Sequence, residues 1–346
     1  MAVSLKSLMS SVLGSQRSNG TTPGRGPPAV TELFSKTDPA ADGDECLHDC
    51  DGCTVRYPRG FSVDVDDRLY GQIKAWSTHL LVGTGKTDWV RDVTHEKGSV
   101  MEAVEKADAP SNGRLMLSAS NMPTPHDTSD YSEPTTVLLL PAFTLVHNVH
   151  PLNVPTLLGD LVDKAPTSIS PLDFAALPRS LPSRDPSIPA LTTAPCPHSA
   201  VILMCSQRTR DARCGQSAPL LRKEFERHLR PLGLYRDLHD ERPGGVGIYF
   251  ISHVGGHKYS ANVMVYRRPN AFGQDEGDSK EPVGGGEAAN GHGETDQGAA
   301  QCIWLARVRP EDCENLVRYT VLKGKVVKPE SQLRGGFDRV KGLTSW

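Results

Sequence analysis

The sequence predicts an α/β protein of two domains, and three observations carry that prediction. Its 346 residues are about two domains' worth at roughly 150 residues each, enough for two cores. Short apolar runs closed by Gly or Pro, such as residues 137–140 before Pro141 and Ala200–Cys205, read as buried strands, and a stretch of helical periodicity follows the second. Between these strands proline recurs at 166, 171, 178, 182, 186, 189 and 195, the composition of an extended linker. The expected division is a disordered tail over 1–40, a first domain over 41–165, the Pro-rich linker over 166–196, a second domain over 197–330 and a C-terminal tail over 331–346.

Taken in order, residues 1–31 hold no acidic side chain and are rich in Ser, Gly and Pro, with Lys6, Arg17 and Arg25 scattered through them. Leu5, Leu8, Met9, Val12 and Leu13 would share a helical face, so the segment reads either as a disordered tail or as a mitochondrial presequence. Order is expected from about Cys46, with a first strand over 78–82 ended by Gly83 and another over 137–140. In the second domain, Leu221, Phe225 and Leu229 repeat every fourth residue. A helix over 217–229 is therefore expected, with Ser217 as N-cap and Pro219 in its first turn. Residues 246–252 and 259–266 read as strands joined by a turn at Gly255 and Gly256, and 302–308 as a further strand. A last helix opens at Pro310, with Glu311 and Asp312 in its first turn and Cys313, Leu316, Val317 and Thr320 on one side. Residues 270–300, rich in Gly, Glu, Asp and Asn, read as a disordered insertion.

Composition excludes several classes. Lys plus Arg total 38 against 41 for Asp plus Glu, a net charge of −3, which offers no electrostatic footprint for nucleic acid or an anionic membrane. No apolar run approaches the roughly 20 residues of a bilayer span, so a soluble protein is expected. Gly 32 and Pro 27 of 346 residues exceed a usual combined share of about 12 %, in keeping with the segments read as unpacked. Eight cysteines without a secretory signal point to a reducing compartment and to metal or redox work rather than disulfides.

Gly83-Thr84-Gly85-Lys86-Thr87 resembles the end of a phosphate loop, but Leu80 stands where its first glycine belongs, and a strand end with a turn is the better reading. Cys46, His48, Cys50 and Cys53 crowd into eight residues without the spacing of a complete ligand set. They read as reduced surface thiols or as a metal or redox site. Cys196, Cys302 and Cys313 are isolated and read as buried free thiols. A stronger constellation is Cys205 and Cys214, in a strand-to-helix loop, with His253 and His257 around Gly255 and Gly256. Two thiolates and two imidazoles make a four-ligand set, and a glycine turn can aim both imidazoles at one point. Arg208, Arg210 and Arg213 beside the cysteines would lower the thiol pKa values and offset thiolate charge. On spacing alone zinc, an iron–sulfur cluster and an unligated set all stay open.

The run from Cys205 to Gly215, Gly233-Leu234-Tyr235-Arg236-Asp237, and the run from Ser252 to Val263 through Lys258 and Asn262 together resemble the fungal sucrase/ferredoxin-like family. The likeness is dense in the second domain and looser in the first, through residues 79–89 and 138–143. It implies two thioredoxin-like domains, the second a thioredoxin-like ferredoxin. It also implies a 2Fe-2S cluster with Cys205 and Cys214 on one iron and His253 and His257 on the other, with Lys258 and Asn262 among the residues around it. The implied role is an electron carrier or redox sensor rather than a turnover enzyme, with unknown donor and acceptor and an effect on the actin cytoskeleton as an indirect outcome. Trp346 resembles the terminal aromatic by which cytosolic iron–sulfur clients meet their assembly targeting complex, which favours the cytoplasm. A related branch of the family is mitochondrial. No pair of carboxylates supports the "sucrase" half of the family label. Two other readings stand beside this one: a zinc-stabilised scaffold on the same four residues, and a thiol-disulfide oxidoreductase using Cys46, Cys50 and Cys53.

Overall fold

A computed structural model describes residues 27–183, 185–275 and 297–346. The apolar runs become strands of one mixed sheet, and its two halves share a pattern. In the first half β1 (Thr78–Gly83) runs parallel to β2 (Leu115–Ser120) and antiparallel to β3 (Thr135–Leu140), which turns back into β4 (Thr144–Val149). The stretch read as linker supplies β5 (Ser180–Leu181) and β6 (Leu191–Pro195), and β6 pairs with β4. In the second half β7 (Ala200–Cys205) is followed by the short β8 (Tyr235–Arg236), which flanks β9 (Val246–Ile251). β7 runs parallel to β9 and antiparallel to β10 (Val263–Arg267), which pairs with β11 (Gln301–Leu305). Then come β12 (Leu333–Asp338) and β13 (Leu343–Thr344), and the halves meet edge to edge where Ser120 of β2 faces Ile251 of β9.

Side chains alternate across a strand, so each strand feeds two cores. Ala200, Ile202 and Met204 of β7 face Leu221, Phe225 and Leu229 of the long helix, while Val201 and Leu203 point to the other face. That other face is common to both halves: Trp76, Leu81 and Leu138 from the first share one apolar cluster with Leu203, Tyr266, Trp304 and Phe337 from the second. The helix Val100–Lys106 and the segment Val154–Thr156, continued by a π-type turn over Leu157–Val162, cover the opposite face of the first half.

Several expectations are corrected. Order does not wait for Cys46, because Val30–Leu33 is already helical and Leu33 and Phe34 are buried in the second half's core. The long helix is Ala212–Leu229, five residues longer than expected, because Asp211 caps it by accepting a hydrogen bond from Arg213 N at 2.9 Å. Ser217 is therefore an interior residue whose hydroxyl donates to the Cys214 carbonyl at 3.4 Å, and Pro219 lies inside the helix. The strand expected over 259–266 starts only at Val263, since His257–Tyr259 forms a 3-10 turn. Residues 331–346 are not a tail: β12 is buried throughout, and the Trp346 ring lies 4.4 Å from that of Trp76. Residues 1–26 and 276–296, which include most of the expected tail and insertion, lie outside the described residues. Asp275, at the near edge of the insertion, pairs with buried Arg267 at 2.5 Å. No helix of the described residues is long and apolar enough to cross a membrane.

Candidate metal centre

Because β7 and β9 are parallel, Cys205 at the end of one and the turn after Ile251 at the end of the other emerge at the same edge of the sheet, where parallel strands commonly offer a binding site. The 212–229 helix starts beside them and carries Cys214 in its first turn. The Cys205 sulfur, the Cys214 sulfur and a ring nitrogen of His253 lie within 4.8 Å of one another, and both cysteines are buried. Cys205 Sγ stands 3.9 Å from His253 Nδ1. His257 opens the 3-10 turn four residues on, with its side chain outside the description. The hydrogen bond between the two thiols lowers the pKa of Cys205 and raises that of Cys214, with burial adding to the rise.

The loop after Cys205 is held by the first half of the chain. Ser206 Oγ donates to Thr87 O at 2.7 Å, Gln207 Nε2 to Val90 O at 2.6 Å, and Thr209 Oγ1 to Asp88 Oδ2 at 2.9 Å. The Gly83–Thr87 turn and the residues after it thus serve as a buttress for the centre. Gln207 is fully buried and its Oε1 also accepts from His253 N at 2.9 Å, tying the cysteine loop to the histidine turn.

The arginines expected to tune the thiols divide. Arg208 is exposed and reaches Asp88 at 3.9 Å, and Arg210 donates to Arg91 O at 3.2 Å. Arg213 alone acts on Cys214, and its pairing with Asp211 at 2.7 Å offsets its charge. Arg208 has a steric role instead, since a Cβ on Gly215 would meet its Cβ at 2.5 Å. Lys258 points away to Asp67. Asn262 has a larger part than its place in the motif suggested: its Oδ1 accepts from Arg334 Nη1 at 2.7 Å and Trp304 Nε1 at 3.2 Å, and its carbonyl accepts from Cys205 N at 3.3 Å.

Arg334 is the cation that sequence reasoning missed, because it lies 77 residues from His257, in β12. It is 2 % exposed, packs on the Trp304 ring at 4.4 Å and donates to Gly255 O at 3.1 Å. Burial lowers its pKa to about 10, which leaves it charged at neutral pH. A Cβ on Gly256 would meet its guanidinium at 2.5 Å, and Gly255 and Gly256 both have positive φ, so glycine is required at both positions. Beside the turn, a cavity of about 580 Å³ is lined by His253, Val254, Gly255, Gly256, Trp304 and Arg334, with Lys74 and Arg114 also in its wall.

The N-terminal cysteines do not form one site. All eight cysteines are buried and none is in a disulfide, which corrects the reading of Cys46, Cys50 and Cys53 as surface thiols. Cys46 packs with Tyr319 and Val327, whereas Cys50 and Cys53 pack with Val55 and Leu220, and His48 is exposed. Burial raises the thiol pKa values of Cys50 and Cys53, the opposite of an activated nucleophile. Cys196, Cys302 and Cys313 are buried as expected.

Comparison with known proteins identifies similar chains and a family. The chain is 29 % identical over 332 residues to actin patches distal protein 1 of Saccharomyces cerevisiae, covering 91 % of this chain and 92 % of that one. It is 30 % identical over 131 residues to altered inheritance of mitochondria protein 32 of Clavispora lusitaniae, covering 38 % of this chain and 33 % of that one. The protein of the same name from Debaryomyces hansenii is 30 % identical over 128 residues, 37 % of this chain and 33 % of that one. No solved structure matches the chain significantly. The sucrase/ferredoxin-like model matches residues 69–335, which takes in both halves of the sheet and all four expected ligands, and the chain belongs to the sucrase/ferredoxin-like family.

Proposed function

We propose that the protein is an electron carrier or redox sensor holding one 2Fe-2S cluster on Cys205, Cys214, His253 and His257. The observation that carries this reading is the convergence of Cys205, Cys214 and His253 from three separate elements on one buried point. The donors fit such a group in kind, since two sulfurs and an imidazole suit iron–sulfur and zinc chemistry and not hard cations. Bound there, the cluster would supply one-electron chemistry, at a potential raised by exchanging two anionic thiolates for neutral imidazoles. The chain's own residues do the rest. Gln207 sets the backbone of His253, Arg334 places a positive charge near Cys205, and the 580 Å³ cavity leads from solvent to the histidine turn past Lys74 and Arg114. That cationic wall suits an acidic redox partner.

Each half has a crossover helix between two parallel strands and an antiparallel pair on the far side of the first strand. This arrangement supports reading both halves as thioredoxin-like domains, the second carrying the cluster. Cytosolic maturation through Trp346 belongs to the same proposal, with organisation of actin patches as a downstream outcome. Recognition of Trp346 would require its ring to leave the contact with Trp76.

One observation favours a second reading, a single zinc ion. Zn–S of about 2.3 Å and Zn–N of about 2.1 Å put tetrahedral ligands roughly 3.6 Å apart, and Cys205 Sγ to His253 Nδ1 is 3.9 Å. A two-iron cluster needs the 253–257 turn to open further, as its two glycines and the adjacent cavity permit. Ligand exchange separates the readings. Cys214→Ser should abolish visible absorption and bound iron. His253→Cys should retain a cluster with a lower potential and a flatter dependence of potential on pH. A colourless wild-type chain whose zinc is lost in Cys214→Ser would select the zinc reading.

A further inference from the structure

A second set of donors converges at the other end of the 212–229 helix. The Cys50-Asp51-Gly52-Cys53 turn is anchored by Cys50 N donating to Glu311 O at 3.0 Å. There the Cys50 sulfur, a ring nitrogen of His228 and a carboxylate oxygen of Glu314 lie within 4.8 Å of one another. His228 Nε2 is buried and makes no hydrogen bond among the described residues, the Glu224 carboxylate standing 3.8 Å away. A buried ring nitrogen without a partner is costly, and a bound cation would satisfy it.

The surroundings specify the cation. Arg227 Nη2 donates to Cys50 Sγ at 3.2 Å and to Glu224 Oε2 at 2.7 Å. Glu224 matches the charge of Arg227, and Arg318 pairs with Glu314 Oε1 at 2.6 Å, so Cys50 supplies the net negative charge of the set once it gives up its proton. The Cys53 thiol is engaged, donating to Val55 O at 3.4 Å, which leaves a fourth position to solvent. One sulfur, one imidazole nitrogen and one carboxylate oxygen form a borderline-soft set suited to zinc. The side chains of His228 and Glu314 are 14 % and 23 % exposed, so solvent reaches the site.

We propose that Cys50, His228 and Glu314 form a zinc site, separate from the Cys205 centre, that fastens the segment around residues 44–55 onto the second half. The full chain, kept reduced by a phosphine so that Cys50 and Cys53 cannot pair, would be stripped of loosely held metal and titrated with Zn²⁺ against a chelating dye. Cys50→Ser, His228→Gln and Cys205→Ser would be measured alongside. One zinc should bind wild type and Cys205→Ser with equal affinity, and bind Cys50→Ser and His228→Gln at least about tenfold more weakly. Zinc should also slow proteolysis within residues 44–55 of wild type and not of Cys50→Ser. Failure of wild type to take up zinc, affinity unchanged in Cys50→Ser or His228→Gln, or loss confined to Cys205→Ser would each overturn the proposal. Should Cys50→Ser lose its circular dichroism signal, Glu314→Gln at its partly exposed position decides by the same criterion.

Discussion

Gln207 and Arg334 determine how firmly the histidine turn is held, and neither binds the metal in this account. Gln207 joins Val90 O to His253 N through one side-chain amide. Gln207→Ala should lower metal affinity at the centre by about tenfold, the scale of lost ligand-supporting bonds, read as iron per chain after dialysis against a chelator. Arg334 acts through both charge and contact. Its charge is felt at Cys205, and for unit charges about 7 Å apart at an effective dielectric of about 20 Coulomb's law gives about 2 kcal/mol in favour of an arriving electron. Arg334→Gln should therefore lower the midpoint potential by on the order of 50–100 mV. An unchanged potential would leave Arg334 a packing role only. The convergence of Cys205, Cys214 and His253 was legible in the sequence because they sit inside two short motifs. Arg334 was not, because its proximity arises from β12 pairing with β11, a contact that no local spacing reports.

At the scale of elements, the 212–229 helix connects the two donor sets and begins where Asp211 caps it. Asp211→Ala should cost about 1 kcal/mol of stability, measured by urea unfolding, and should release Arg213 from its pairing at 2.7 Å. The helix face was legible from Leu221, Phe225 and Leu229, but its start was not. Ser217 followed by Pro219 imitates an N-terminus, while Asp211 six residues earlier does the capping, and Gly215 and Ser217 are placed by packing against Arg208 and Cys214. The 331–346 segment, expected as a tail, instead supplies β12, which contains Gly335 and Gly336. In β12 these glycines have φ of +152° and +138°, and a Cβ on Gly336 would run into the Cys302 carbonyl. Gly336→Ala should destabilise by more than about 2 kcal/mol, as overpacking does in a fixed backbone, and its thermal midpoint would show it.

For the whole molecule, the apolar face shared by the two halves ties their stability together, and His79 lies within it. Its ring bonds Tyr266 Oη at 3.0 Å and Ser118 Oγ at 2.9 Å, joining β1 to both β2 and β10. Burial lowers its pKa to about 3 from 6.5. The unfolded chain therefore takes up a proton that the folded chain refuses. The stabilisation from keeping His79 neutral is fully present above about pH 6.5 and is lost as pH falls toward 3, at about 1.4 kcal/mol per pH unit. Unfolding free energies from urea titrations at pH 7 and pH 5 should differ by about 2 kcal/mol more in wild type than in His79→Gln. The α/β character was legible from the short apolar runs and the helical repeat of Leu221, Phe225 and Leu229, because strands and helices leave local patterns, whereas the proline run expected to be a linker supplies β5 and β6 of the same sheet. The fusion of the two halves into one sheet through Ser120 and Ile251 was not legible, because a single edge-to-edge pairing leaves no period in the chain.

What the Cys205 centre holds decides between an electron carrier and a zinc module. The most direct measurement is an absorption spectrum of full-length protein purified under nitrogen, before and after dithionite, with iron, sulfide and zinc quantified on the same sample. A 2Fe-2S centre should give visible bands that bleach on reduction, with about two irons and two sulfides per chain. A colourless chain without iron would contradict it.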